Sequence, residues 1–438
     1  MRVVASFFFA LQIVIAPIAA SAAPAVPSLT TAPAGTKSFD PATATRAWLD
    51  TVPAEARARS DAYFEGGYWL LLWNFLLSAA IAIFILVSGL SARLRDFAER
   101  ATRFRVLQPA FYAVPYVLIV AALSFPLTVY AEYFREHAYG LATQSFGPWF
   151  REQLINLVVA LIATTIALVV LYAVFRRAQR TWWIWGTMAG AIFLLIAPMV
   201  APVFVAPLFN TYKPLQDPKI SESILAMARA NEIPVQQVYE VDASRQSNRV
   251  SANVSGIFGT ARIALNDNLL RQCSLPEIRL VMAHEMGHYV LNHSFKLFLY
   301  SSILLLGAFV FSSLLFEGLV RRWGGRWRVK GIADLAGLPL LTLLFTTYYF
   351  LLTPISNTAT RVTEREADAF GINTAREADG FAKIALKLGS YRKLDPGPLE
   401  EMILFDHPSG RARIRMAMDW KAANLPAGDG GGPLGPNR

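Results

Sequence analysis

Six long apolar stretches constrain this chain more than any other feature, at about 68–90, 109–130, 153–175, 183–208, 297–319 and 335–355. Each is near the ~20 residues that carry a helix across a bilayer. With 54% hydrophobic and 16% charged residues over 438 positions, the chain is too apolar for a soluble protein of this size. It reads as a mostly α-helical polytopic membrane protein. Pro198, Pro202 and Pro207 fall in the fourth stretch and are expected to kink or shorten it.

The connecting loops sort by charge. Arg93, Arg95, Arg100, Arg103 and Arg105 lie between the first two stretches. Arg176, Arg177 and Arg180 lie between the third and fourth, and Arg321, Arg322, Arg326, Arg328 and Lys330 between the fifth and sixth. By parity these loops share one side, which the positive-inside rule makes cytoplasmic. The mixed-charge loop near 131–152 and everything from 210 to 295 fall on the other side. The net charge of +10 is therefore a matter of basic loops, and no nucleic-acid partner is expected.

Residues 1–22 have Arg2, an apolar run from Val3 to Ala19 and a small-residue Ala20-Ser21-Ala22, the pattern of a secretory signal peptide or else of a first membrane helix. An Ala/Pro/Thr-rich linker is expected over 23–45 and an amphipathic helix over 46–64. The membrane helices at 65–210, a second domain with two more membrane helices at 211–420, and a disordered tail at 421–438 complete the expected organisation. A secretory leader with the main non-membrane segment outside the cytoplasm points to a bacterial inner membrane with that segment on the periplasmic side. Cys273 is the single cysteine, so an internal disulfide and a cysteine-type zinc site are both excluded.

In the non-membrane segment a helix is expected from Ile220 to Ala230. Strands are expected at Val238–Val241, Asn248–Phe258 and Thr260–Leu265, with Gly256 and Gly259 at the turn. They form a small sheet beside the next helix. Its exposed edge can add an extended peptide as another strand, or the sheet only supports that helix.

That next helix holds His284-Glu285-Met286-Gly287-His288. Ser274, Pro276 and Glu277 supply a cap, an early proline and an acidic residue three past the cap. Residues four apart share a helix face, so His284 and His288 present two imidazoles to one point, as a zinc ion requires. Glu285 sits beside them, where it can take a proton from water. The chain has five histidines and three lie between 284 and 293, which argues against coincidence. A catalytic zinc site usually has three protein ligands and one open position. Glu364 and Asp368, four apart on a helix from Thr360 to Phe370, offer a third ligand and a carboxylate that fixes a histidine tautomer. Glu366 is expected to point elsewhere. An ordinary charged helix fits the same spacing.

As a set, His284-Glu-Met-Gly-His288 with Asn292-His293, Glu364-Arg-Glu-Ala-Asp368, Ala206-Pro-Leu-Phe-Asn210, Arg262-Ile263 before Asp267, Pro354 to Asn357, and His407-Pro408 before Arg413 resembles the integral-membrane CAAX prenyl endoprotease family, type I. The resemblance covers roughly 65–420. It implies a helical barrel enclosing an intramembrane chamber, with one zinc on the inner wall held by His284, His288 and Glu364. It also implies Glu285 as the water-activating base, Asp368 behind a ligand histidine, and His407 binding substrate or stabilising the oxyanion. Arg413 is expected to pair with Asp368 or brace His407, and stands with Ser251 and Asn253 among the residues serving substrate. His293 is expected as a capping or interfacial residue. The family has Asn-Ala-Tyr on the strand before the glycine, where this chain has Ser251-Ala252-Asn253. The family's eukaryotic members place zinc on the cytosolic side, whereas the charge pattern here places it outside.

The expected activity is zinc-dependent cleavage of peptides or membrane-associated proteins, without a need for prenylation. A silent membrane scaffold or chaperone-like relative is one alternative. A transporter is another, weakened because the spans lack an obvious charged relay.

Overall fold

The computed structural model describes residues 39–255 and 262–424. The expected signal peptide, the turn at Gly256 and Gly259, and most of the expected tail lie outside those residues. Residues 421–424 close the last helix instead of opening the tail, because Lys421 pairs with Asp379 at 2.8 Å.

Helix α1 (Pro41–Asp50) begins inside the expected linker. The Asp40 carboxylate accepts the N–H groups of Ala42 and Thr43 at 3.2 and 2.9 Å, and Pro41 opens the first turn. Buried Leu49 anchors this helix to the C-terminal half, in one cluster with Leu280, Ile372 and Ile414. The amphipathic segment expected at 46–64 is split by a break at residues 51–53. Helix α2 (Ala54–Val87) then runs without interruption through the first apolar stretch.

Next come α3 (Leu90–Ala101), α4 (Gln108–Ala138, with a π-helical turn at Tyr130–Phe134), α5 (Phe146–Arg177) and α6 (Trp182–Leu208). The three prolines do not end α6 early; the chain accommodates them with a π-helical turn at Ala201–Val205. Helix α10 (His293–Trp327) is the fifth long apolar helix. The sixth stretch differs from expectation. Helix α11 (Leu338–Leu351) ends at Leu352, and the chain bends by 56° into α12 (Thr353–Ala375), whose Pro354 occupies the first turn.

Tyr112, Tyr172, Phe175, Phe309 and Phe316 pack the bundle's core. Its outer surface is apolar as well: Ile162, Ile192 and Leu314 are 58%, 55% and 75% exposed. Such a surface is stable against acyl chains and costly against water. The basic loops meet at one end, as their parity requires. Arg95 pairs with Asp334 at 2.9 Å and donates to the Arg328 carbonyl, while Arg176 donates to the Arg105 carbonyl.

Between the membrane helices lies the non-membrane half. It holds β1 (Tyr212–Pro214), α7 (Pro218–Ala230), β2 (Val238–Val241), β3 (Ala252–Ser255), β4 (Arg262–Asn266), α8 (Asp267–Gln272) and α9 (Leu275–Val290). The sheet order is β1-β2-β4-β3, with β2 and β4 parallel and the outer pairs antiparallel. β1 was not expected. β3 starts later than expected because side chains capture the backbone before it: Asn268 donates to the Ser247 carbonyl at 2.6 Å and Asn266 to that of Arg249 at 2.7 Å. After α12 come α13 (Ala378–Leu388), α14 (Pro398–Leu404) and α15 (Gly410–Asn424). A cavity of about 990 Å³ opens among α4, α5, α6, β3, α9 and α12, making the bundle a helical barrel around a chamber.

Candidate metal centre and active site

The site rests on the crossing of α9 and α12. Glu277 closes the capping box that starts α9, accepting the Ser274 N–H at 2.7 Å and its hydroxyl at 2.6 Å. Two glycines let the helices meet. A Cβ on Gly371 would stand 3.1 Å from the His284 backbone nitrogen, and one on Gly287 would stand 3.0 Å from the Phe370 ring. The crossing carries Glu364 under the two histidines.

His284 Nε2 and His288 Nε2 lie 3.1 Å apart, and each lies 3.4 Å from a Glu364 carboxylate oxygen. Ligands about 2.1 Å from a tetrahedral zinc stand about 3.4 Å from one another, so this donor set has the size and chemistry to hold that ion. Asp368 accepts from His284 Nδ1 at 2.9 Å, which leaves Nε2 directed at the Glu364 carboxylate. Burial works against a charged His284, but its bonds to Asp368 and Glu364 outweigh it and raise its pKa to about 10. The same negative field favours a cation at this point.

Glu285 lines both the chamber and a smaller cavity of about 200 Å³ behind it. Burial pushes its carboxyl above the ordinary range, with His284 and His288 pulling it back in part. His407 Nε2 reaches Glu364 at 3.4 Å, and its Nδ1 lies 2.8 Å from Asp406. Arg413 gives its Nε to Asp368 at 2.8 Å and one Nη to Glu364 at 3.2 Å. Of its two expected roles, the structure has the pairing with Asp368.

Asn253 is exposed and lines the chamber with Glu285 and His288. Ser251 faces the smaller cavity, and its N–H and carbonyl are taken by Asn266 at 3.1 and 3.0 Å. Among the described residues β3 has one strand partner, β4.

Residues 214–421 match the model of peptidase family M48, and residues 42–211 match that of the CAAX prenyl protease N-terminal, five membrane helices. Over 336 residues the chain is 32% identical to the uncharacterized metalloprotease YhfN of Bacillus subtilis, covering 76% of this chain and 78% of that one. The chain belongs to peptidase family M48. This M48 protein is also 25% identical to CAAX prenyl protease 1 of Saccharomyces cerevisiae over 346 residues, 73% of this chain and 74% of that one. Its fold matches the crystal structure of S. mikatae Ste24p with a TM-score of 0.69 at 19% identity, over 86% of this chain and 94% of that one. The chain is thus an integral-membrane metalloprotease, with peptides or proteins as its substrate class.

Two neighbours of this M48 site escape sequence reasoning. The first is His293, expected at a cap or an interface. Asn292 takes the left-handed conformation (φ 53°), which asparagine tolerates better than most residues, and turns the chain sharply between α9 and α10. The His293 ring is 1% exposed and folds back to place Nδ1 2.9 Å from His288 Nδ1. Its Nε2 lies 2.9 Å from Glu366, which also pairs with Lys296 at 2.6 Å. Glu366 therefore does not point away from the site. The second is Asp406, beside His407. An acidic residue next to a histidine is the one signal it offers in the sequence.

Proposed function

We propose that this chain is a zinc endopeptidase, of the CAAX prenyl protease type I kind, that cleaves peptides or membrane-associated proteins inside its chamber. The spacing of His284, His288 and Glu364 at tetrahedral-edge distances, with Glu285 beside them facing the chamber, carries this reading. Bound zinc supplies Lewis-acid chemistry, lowering the pKa of water and polarising a carbonyl.

The chain's residues do the rest. Glu285 takes a proton from the attacking water and returns it to the leaving amine. Its burial, by raising its pKa, suits it to hold that proton between the two transfers. His407 donates from Nε2 to the developing oxyanion, with Asp406 accepting from Nδ1 and fixing that tautomer. Asp368 orients His284, and Arg413 in turn holds Asp368 and Glu364. On the other ligand, His288 Nδ1–H donates to His293, whose Nε2–H donates to Glu366. The substrate backbone lies extended along the outer edge of β3, with Asn253 contacting it from the chamber side.

The convergence of the three basic loops at one end supports a cytoplasmic position for that end and a periplasmic one for the site, in a bacterial inner membrane. Cysteines introduced at Arg100 and at Lys213, each with Cys273→Ser to remove the chain's own thiol, test this with a membrane-impermeant maleimide on intact cells. Labelling at 213 and protection at 100 is expected, and the reverse would invert the topology.

The function is tested on purified full chain in detergent with a mixed peptide library, comparing wild type and Glu285→Gln. One zinc per chain in both is expected, with cleavage in wild type and a loss of about 10²–10⁴-fold in the variant. Near-normal cleavage by Glu285→Gln would remove Glu285 from its role. Zinc in both with cleavage in neither would favour a silent scaffold.

A further inference from the structure

The smaller cavity behind Glu285 holds a charge with no ion-pair partner among the described residues. Its walls are mostly apolar, including Val281, Phe381, Ile384 and Leu388, and the metal-site residues close one side. Into this lining comes Arg392, from the loop between α13 and α14. Among the described residues its guanidinium makes no ion pair, and its Nη1 is shut off from solvent with no hydrogen-bond partner. Burial pushes its pKa down and nearby Arg413 pushes it further. The carboxylates whose charge reaches it are already engaged: Asp406 with His407 at 2.8 Å, and Glu364 with the two histidines and Arg413.

The position is firmly held. The Arg392 carbonyl accepts the Ser60 hydroxyl of α2 at 3.2 Å, and the next residue, Lys393, is clamped between Glu65 and Glu400 at 2.6 and 2.9 Å. A desolvated cation without a counter-ion is costly, and the cost is recovered when an anion arrives. Guanidinium is the side chain whose planar fork fits a carboxylate with two parallel bonds.

The geometry points to Arg392 as the receptor for a carboxylate of the substrate, either the chain's own carboxyl terminus or an acidic side chain near the scissile bond. This rests on the peptidase reading above. It adds a recognition element that separates acidic from neutral peptides of equal size and hydrophobicity.

The test uses full-length, zinc-loaded Glu285→Gln in detergent, which holds a peptide without cleaving it. Three leucine–alanine nonapeptides with a neutral BODIPY dye are compared by fluorescence anisotropy. One ends in a free carboxylate, one in an amide, and one in an amide with a single central glutamate. At least one carboxylate peptide is expected to bind about tenfold more tightly than the plain amide. Which of the two does so names the source. Adding Arg392→Gln is expected to bring that peptide to the level of the amide, and Arg392→Lys, keeping charge but losing the fork, to leave it between. Zinc content reports whether each variant is folded, and Arg392→Lys serves if Arg392→Gln is not.

Equal affinities for all three peptides with Arg392 intact would overturn the inference. So would a preference that survives Arg392→Gln, which would put the carboxylate on the metal. Binding of none of them, joined to absence of turnover when Glu285 is restored, would be a failure of the peptidase reading itself and would take the inference with it.

Discussion

At the scale of single residues, the two histidines proposed as ligands, His284 and His288, are held by different devices. His284 leans on a carboxylate directly, whereas His288 reaches its carboxylate through a second imidazole. With His288 Nε2 given to the proposed metal, the relay runs in one sense: His288 donates to His293, and His293 donates to Glu366. Removing the middle member leaves His288 free to rotate and to change tautomer. His293→Ala is therefore expected to weaken zinc binding by about 10–100-fold, measured by competition with a chromophoric chelator. Glu366→Gln should give a smaller loss, because an amide oxygen still accepts. Unchanged zinc affinity in His293→Ala would make the buried histidine a packing residue. The pair His284 and His288 was legible in the sequence because four residues make a helical turn. His293 was not, because it meets His288 across a left-handed turn at Asn292 that no helical spacing describes. Glu364 stood in between: its motif was visible, but its meeting with α9 depends on tertiary structure.

At the scale of elements, the α9–α12 crossing sets the geometry of the donors. Gly371 faces backbone, which cannot move aside as a side chain can. Gly371→Ala is expected to destabilise the chain by about 1–3 kcal/mol through overpacking, and to lower zinc affinity as Glu364 shifts. Gly318, on α10 with open space around it, is the control. Gly318→Ala should be neutral or slightly stabilising, since alanine is the better helix former. Thermal unfolding in detergent with zinc content would compare the two, and equal behaviour would remove the steric argument. Apolar length located five of the six spans well but gave their lengths badly. Helices α2 and α10 continue for 34 and 35 residues, because their polar ends pack against protein or face water and carry no hydropathy signal. The elbow after Leu351 was missed because the apolar run ends there. From Thr353 onward the chain is largely polar, so hydropathy shows the end of a span, and only Pro354 marks a helix that goes on in a new direction.

At the scale of the whole molecule, the five long apolar helices and the bent pair among the described residues are unequal. Helix α2, with 34 residues, is about 51 Å long, against a hydrocarbon thickness of about 30 Å. Helices α5 and α10 have a similar excess, so they can tilt or slide within the bilayer and remain covered. The segment Leu335–Leu351 reaches only about 27 Å before its 56° bend. It has no slack, and its far end is the helix that bears Glu364. A thicker bilayer therefore draws first on that elbow, and through it on Glu364, one of the three proposed ligands. In liposomes of increasing acyl-chain length, peptidase activity is expected to fall and zinc loss to quicken, while detergent-solubilised enzyme of the same batch is unaffected. A flat response across chain lengths would show the elbow to be rigid. If it yields, the lipid composition of the membrane regulates this site mechanically, as a gauge of thickness wired to a metal.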